Sequence, residues 1–406
     1  MEALPLPDLN LPKGDQVVNV HAIDTTTTLV CDAFAFIEPT QPGHEKINMK
    51  TMCFLLEHKT SEASEYVLFD CGSRKDFWNG SPTASRMIGG HVPSLIVEKG
   101  VDEILVEGGL DLSQLKALIW SHWHWDHIGD ASKFPATVDI VVGPGFKENY
   151  TPGYPEDPRG VVLAKDMEGH EIFEPSFEQD VAGFGAYDFF GDGSFYLLDV
   201  PGHAIGHICG LARTTTDTFV LLGGDCCHFT GVFRPSPYAP LPIHIPTGVL
   251  DDFYPAPCPC SLFEASHAVV SREHDRTGLD QLERATATRM TPFYNISRAK
   301  GSAYTFAELA QQSVDRLQPL DAHPHVLICL AHDGKLMELL PLFNQDPANS
   351  INGWQSWGIK DKSRWDFLNE LPKGQAEGRK PTFGGIYRNH TRLQWDGDAG
   401  FIDIGK

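Results

Sequence analysis

Residues 121–130 read Ser121-His122-Trp123-His124-Trp125-Asp126-His127-Ile128-Gly129-Asp130, and they constrain this chain more than any other segment. Three histidines and a carboxylate fall within six positions, directly after the apolar run 115–120. Neutral imidazole and carboxylate are the usual nitrogen and oxygen ligands of zinc and similar divalent ions. No regular helix or strand points positions 122, 124, 126 and 127 the same way. A loop leaving a buried strand lets them converge on two neighbouring points, which predicts a two-metal hydrolytic centre. A lone histidine is more often a plain core or surface residue, but four ligand types in six positions match chance poorly. Trp123 and Trp125 either wall such a site against water or are ordinary core.

A two-metal site needs further ligands, best placed where strands end. Three segments qualify. Val200-Pro201-Gly202-His203 follows the apolar run 195–200, Gly223-Gly224-Asp225 follows 219–222, and Ala331-His332-Asp333-Gly334 follows 326–330. Each is an apolar run stopping at a Gly- or Asp-rich turn that carries one ligand-type residue. Singly they are weak signals; as an ordered set after the first motif they are strong.

The order His-x-His-x-Asp-His, then Pro-Gly-His, then Gly-Asp, then a strand ending in His resembles the metallo-β-lactamase superfamily. Residues 66–70 followed by Cys71-Gly72 look like that family's earlier acidic motif, with Asp70 in a structural role. The resemblance implies an α/β (α+β) fold, a four-layer αββα sandwich with a dinuclear site at one edge between its sheets. It further implies that His122, His124 and His203 hold one divalent ion and Asp126, His127 and His332 a second. Asp225 would bridge the two. Zinc is the first expectation, though the same nitrogen and oxygen donors accept Mn or Fe. Cys226 and Cys227 are assigned to packing, and His207 to support of the ligands.

Strand-like runs occupy 17–20, 28–30, 51–56, 66–70, 117–120, 138–142, 195–200, 207–212, 219–222 and 326–330, short and bounded by turn residues. Helices are expected over 111–115 and over 305–317, the latter with a Thr cap. Residues 1–16 form a Pro-rich N-terminal arm, 17–334 the metallo-β-lactamase-like domain, and 335–406 a C-terminal extension. Within the domain, 226–304 is an insertion with a Pro-rich stretch, expected to build a pocket wall or lid. The extension carries Trp354, Trp357, Trp365 and Trp395, costly to leave in water. It therefore packs back on the domain, as a cap or as part of a homodimer interface.

Composition narrows the partners. Acidic residues outnumber basic ones 54 to 32, a formal charge of −22, which argues against nucleic acid as a substrate. No apolar stretch is long enough to span a membrane. The N-terminus shows no secretory signal, and the nine cysteines are odd in number and scattered, so a cytoplasmic, reduced protein is expected.

The resemblance implies attack of a metal-bridging hydroxide on a carbonyl carbon, with Asp126 ligating and also moving the proton. An aspartate bridge and a strand-ending last histidine resemble the lactonase branch, so the expected partner is a small-molecule lactone. Bacterial quorum-quenching lactonases carry a tyrosine three positions after the bridging aspartate; this chain has His228 there. His228 is a candidate oxyanion donor or acid, or else a buried support of the metal loop. Tyr294 and His274 are weaker pocket candidates. Opening of a γ-lactam or other cyclic amide is the near alternative. A thioesterase of the glyoxalase II or carrier-protein type follows, the latter without the basic docking patch it would need.

Overall fold

The computed structural model describes residues 2–61, 63–251, 254–267, 281–372, 378–397 and 399–405. Its core is two sheets. From edge to edge the first runs Gly400–Gly405, Thr391–Asp396, Gly385–Arg388, Ser94–Val97, Val18–Asp32, Lys46–Lys59, Ser64–Phe69, Leu115–Ile119, Asp139–Val141 and Ile172–Phe173. The second runs Val326–Cys329, Phe219–Leu222, Ile208–Arg213, Phe195–Asp199, Phe184–Asp188 and Gln179–Val181.

Period-two alternation explains why the sheets stack. Val18, Val20, Ala22, Met52, Phe54, Val67, Phe69, Ala117 and Ile119 share one apolar cluster with Phe195, Leu197, Val220, Leu222 and Leu327 of the second sheet. Their neighbours Ile23, Cys53, Leu55, Leu68 and Leu118 point to the other face, against Val101, Ile104 and Leu105 of the helix Val101–Glu107. Strands buried on both faces read as continuous apolar runs, which is how these do. On the outer face of the second sheet the helix Ala307–Ala322 packs through Ala310, Val314, Leu317 and Leu320. Helix, sheet, sheet, helix is the four-layer αββα sandwich.

Several local expectations change. The runs 17–20 and 28–30 are one strand, Val18–Asp32, whose register slips between Asp24 and Thr28. The helix expected over 111–115 is a single 3-10 turn, Leu112–Gln114, capped by the Asp111 carboxylate on the Ser113 N–H and cut short because Leu115 already enters the next strand. Thr305 does not cap the long helix: that helix begins at Ala307, and the Thr305 N–H donates to the His203 carbonyl instead.

The extension threads into the same structure. Gly385–Arg388 pairs in parallel with Ser94–Val97 and carries a meander that lengthens the first sheet. Trp354 and Trp365 are buried and Trp395 stacks edge-on with Phe401, whereas Trp357 stays 43% exposed. All nine cysteines are buried free thiols. Among the described residues, no helix is long and apolar enough to cross a membrane.

Candidate metal centre

The motif loop begins where the strand Leu115–Ile119 ends, at the rim between the two sheets. Asp70 holds it there. Its backbone sits in the left-handed region at φ 62°, costly for a non-glycine residue. Its carboxylate accepts from Ser121 N at 2.8 Å, from Ser121 Oγ at 3.0 Å and from His127 Nδ1 at 2.8 Å. Those three bonds fix the loop and set the His127 tautomer, leaving Nε2 to face inward.

The other strand ends deliver their residues to the same point. Gly202 lies at φ 130°, and a Cβ there would fall 2.2 Å from the Ala310 backbone nitrogen. Only glycine brings the turn this close to the long helix, and that approach seats His203. His207 donates from Nδ1 to the Val200 carbonyl at 2.9 Å and accepts the Asp225 N–H on Nε2 at 3.0 Å. It therefore braces the loops and joins none of the ligand-like groups. His332 turns Nδ1 to the Lys50 carbonyl at 3.1 Å, which again leaves Nε2 inward.

Two groups of donors result. His122, His124, His203 and Asp225 bring one ligand atom each within 4.8 Å of one another; Asp126, His127 and His332 do the same. The Asp225 carboxylate stands between them. Its Oδ2 is 3.4 Å from His203 Nε2, 3.6 Å from His122 Nε2 and 3.1 Å from His127 Nε2, and its Oδ1 is 3.2 Å from His332 Nε2. The structure thus brings together all seven residues singled out as ligands.

The donor chemistry fits divalent ions. His203 Nε2 lies 3.1 Å from His122 Nε2 and 2.9 Å from His124 Nδ1, lone-pair nitrogens crowded on one point. His127 Nε2 and Asp225 Oδ1 are buried with no hydrogen-bond partner, an expensive state unless a cation satisfies them. Burial holds His122 and His203 well below the ordinary histidine range and His124 at about 3, so all three are neutral at pH 7. Burial opposes charging His127 and His332 as well, but Asp225 and its neighbouring carboxylates outweigh it and push both up. Asp225 itself is held well down by His127, His228 and His332 against the cost of burial. The second group is electrostatically a place for positive charge.

His228 sits against this centre. Its Nε2 is 3.0 Å from Asp225 Oδ2, its Nδ1 is 2.9 Å from the Tyr304 hydroxyl, and its ring lies between Phe36 and His332. Burial lowers its pKa, and burial raises that of Tyr304 well up, so the pair is a neutral imidazole and a protonated phenol. Tyr O–H donating to Nδ1 and Nε2–H donating to Asp225 satisfies every atom. His228 also forms a third ligand-like group with Asp225 and His332.

Tyr304 is the functional residue that sequence reasoning missed, since it lies at the far end of the insertion with no motif around it. Tyr294 is buried away from the centre, its hydroxyl 2.7 Å from His44 Nδ1. His274 lies outside the described residues.

A cavity of about 320 Å³ opens onto the donors, lined by Leu29, Phe36, Met49, Met87, Trp123 and Trp125 with His228 and Tyr304. Among the described residues no lysine or arginine lines it.

A family model described as Metallo-beta-lactamase superfamily matches residues 50–225. The chain is 37% identical over 374 residues to Gamma-lactamase FDB1 of Fusarium pseudograminearum, covering 90% of this chain and 85% of that one. It is 38% identical over 380 residues to Metallo-hydrolase mfmC of Annulohypoxylon moriforme, covering 90% and 91%. A solved quorum-quenching N-acyl homoserine lactone hydrolase superposes with TM-score 0.49 at 18% identity, covering 81% of this chain and 97% of that one.

Proposed function

The chain belongs to the metallo-β-lactamase superfamily, and on that premise we propose that it hydrolyses a cyclic carbonyl bond, opening the ring of a small, neutral lactone or γ-lactam. One observation carries the reading: the Asp225 carboxylate lies within 3.6 Å of imidazole nitrogens from both donor groups. That is the arrangement of a bridging ligand between two divalent ions. His122, His124 and His203 would hold the first, and Asp126, His127 and His332 the second. When bound, such ions activate water and polarise a carbonyl.

The chain's own residues do the rest. The apolar walls of Phe36, Trp123, Trp125 and Met87 hold the ring and exclude water, which strengthens every electrostatic contact inside. Asp126 lines the same cavity, with one oxygen 3.5 Å from His332 Nε2, placed to take a proton on attack and return it to the leaving atom. Tyr304 keeps its proton and donates it to His228 Nδ1, which locks the His228 tautomer with Nε2–H on Asp225 and fixes the imidazole at the cavity floor.

Among the described residues no cation lines the pocket, which disfavours acyl thioesters on charged carriers. Between ester and amide, the motif order ranks the lactone first, while the γ-lactamase name of a relative aligned along most of its length favours the amide. A panel of a γ-lactone, its matching γ-lactam and an acyl thioester, with and without chelator, tests the reading. Metal-dependent ring opening of either cyclic compound is expected. Preference for the thioester by about 100-fold in kcat/KM, nearly 3 kcal/mol at the transition state, contradicts it.

A further inference from the structure

Tyr304 enters the aromatic cavity on a pinned stretch of backbone. The Thr305 N–H donates to the His203 carbonyl at 2.8 Å, the Phe306 N–H to the Gly202 carbonyl at 2.9 Å, and the Tyr304 N–H to Ser302 Oγ at 3.2 Å. The phenol is thereby delivered beside His203 and His228, its ring centre 5.2 Å from the first and 5.5 Å from the second. It is buried, and it lines the same cavity as His124, Asp126, Asp225 and His332.

A phenol hydroxyl has one hydrogen to donate and two lone pairs with which to accept. The hydrogen goes to His228 Nδ1 at 2.9 Å, and the His228 backbone N–H faces the oxygen as well. One lone pair is left. The other hydroxyls and carboxylates of the cavity are committed elsewhere. Ser302 Oγ donates to the Ser297 carbonyl at 2.8 Å, Asp126 and Asp225 belong to the donor groups, and Thr305 is exposed. Tyr304 Oη is therefore a buried neutral oxygen with acceptor capacity and no hydrogen to spare.

That one-sidedness separates the two rings admitted by the ring-opening reading. A lactam carries an N–H beside its carbonyl carbon, whereas a lactone carries an oxygen with lone pairs alone. We propose that Tyr304 Oη accepts the N–H of the scissile bond and so favours a lactam over the matching lactone. The inference rests on the ring-opening reading and selects within it. In the planar amide the N–H lies in the ring plane. Once the oxygen of water has added to the carbonyl carbon, the nitrogen turns pyramidal. Its N–H swings out of the plane and its lone pair is freed for a proton. An acceptor fixed along the new N–H direction helps at this stage more than in the bound ground state, so it acts on kcat. The C–N bond then breaks, and the nitrogen leaves with its own hydrogen and both protons of the water, an ammonium beside a carboxylate. A lactone in the same place sets lone pair against lone pair.

The test is calorimetric binding of two five-membered cyclic analogues of the tetrahedral stage to the metal-loaded protein. One is a phosphonamidate with N–H in the ring, the other a phosphonate with oxygen in its place. The phosphonamidate is expected to bind about tenfold more tightly, the worth of one hydrogen bond. Tyr304→Phe should remove that difference while phosphonate binding persists, which also reports that the variant is folded. A loss transmitted through His228 falls on both analogues alike. Should the variant not fold, the N-methyl phosphonamidate probes the same contact in the wild type and is expected to bind no better than the phosphonate. Equal affinities in the wild type overturn the proposal. So does a preference that survives Tyr304→Phe or N-methylation, which would give the N–H to Asp126 or remove it from the account. Because binding is read without turnover, failure of the ring-opening reading shows separately, as the absence of hydrolysis in the substrate panel.

Discussion

Two cavities meet at His228 and His332, and they differ in the charge of their walls. Among the described residues one is walled by Trp123, Trp125, Phe36 and Met87 with no lysine or arginine; the other is lined by Lys50, Lys335 and Arg379 together with Asp333, Glu338, Asp366 and Glu370. Under the proposed function, the ligand cluster between them sets the chemistry. The uncharged wall suits the neutral ring of the proposed substrate.

The largest effects should come from the partition itself. Asp225→Ala removes the carboxylate shared by both donor groups and is expected to lower turnover by roughly a thousandfold or more. Metal analysis of the same protein should show that it also loses bound ion. Asp70→Asn leaves the ligands in place but weakens the three bonds that hold His127 and Ser121. Loss of metal affinity by about 10–100-fold, measured with a competing chelator, is expected of such a supporting residue.

On the apolar side, Trp125→Ala should raise KM for a neutral ring more than it lowers kcat, with kcat/KM falling about tenfold for the lost contact area. An equal loss of kcat would instead assign Trp125 to the chemistry. Tyr304→Phe deletes the hydroxyl beside His228 and is expected to lower kcat by roughly tenfold with KM little changed. An unaltered kcat would reduce Tyr304 to packing.

Away from the donors, in a readout of stability instead of turnover, Lys360 donates to the carbonyls of His323 and Val326. Burial lowers its pKa to about 7 from the ordinary lysine value. Between about pH 7 and pH 10 the unfolded chain then holds a proton that the folded one has released, so this residue makes stability rise with pH across that window. Below pH 7 both states are charged and the slope vanishes. Denaturant melts of wild type and Lys360→Met should diverge only above pH 7, the wild type gaining.

How legible each part was follows from how it is built. The ligands were readable because each closes an apolar run at a Gly- or Asp-rich turn, so His203, Asp225 and His332 announced themselves locally. Paired faces of strands such as Lys46–Lys59 gave the layers. Tyr304 was invisible, because its partner lies far away in sequence: it meets His228 across 76 positions. The short helix expected over 111–115 stops after one turn because Leu115 is already paired with Tyr66 in the sheet. Trp357 shows the limit of counting aromatic residues, since a costly exposure was tolerated there.

The central claim is that one carboxylate, Asp225, lies between two metal ions. Anomalous diffraction from metal-replete crystals, collected on both sides of the zinc absorption edge, addresses it directly. The account predicts two peaks flanking Asp225, one among His122, His124 and His203, the other among Asp126, His127 and His332. A single peak at full occupancy, or two peaks with Asp225 bound to neither, would contradict it.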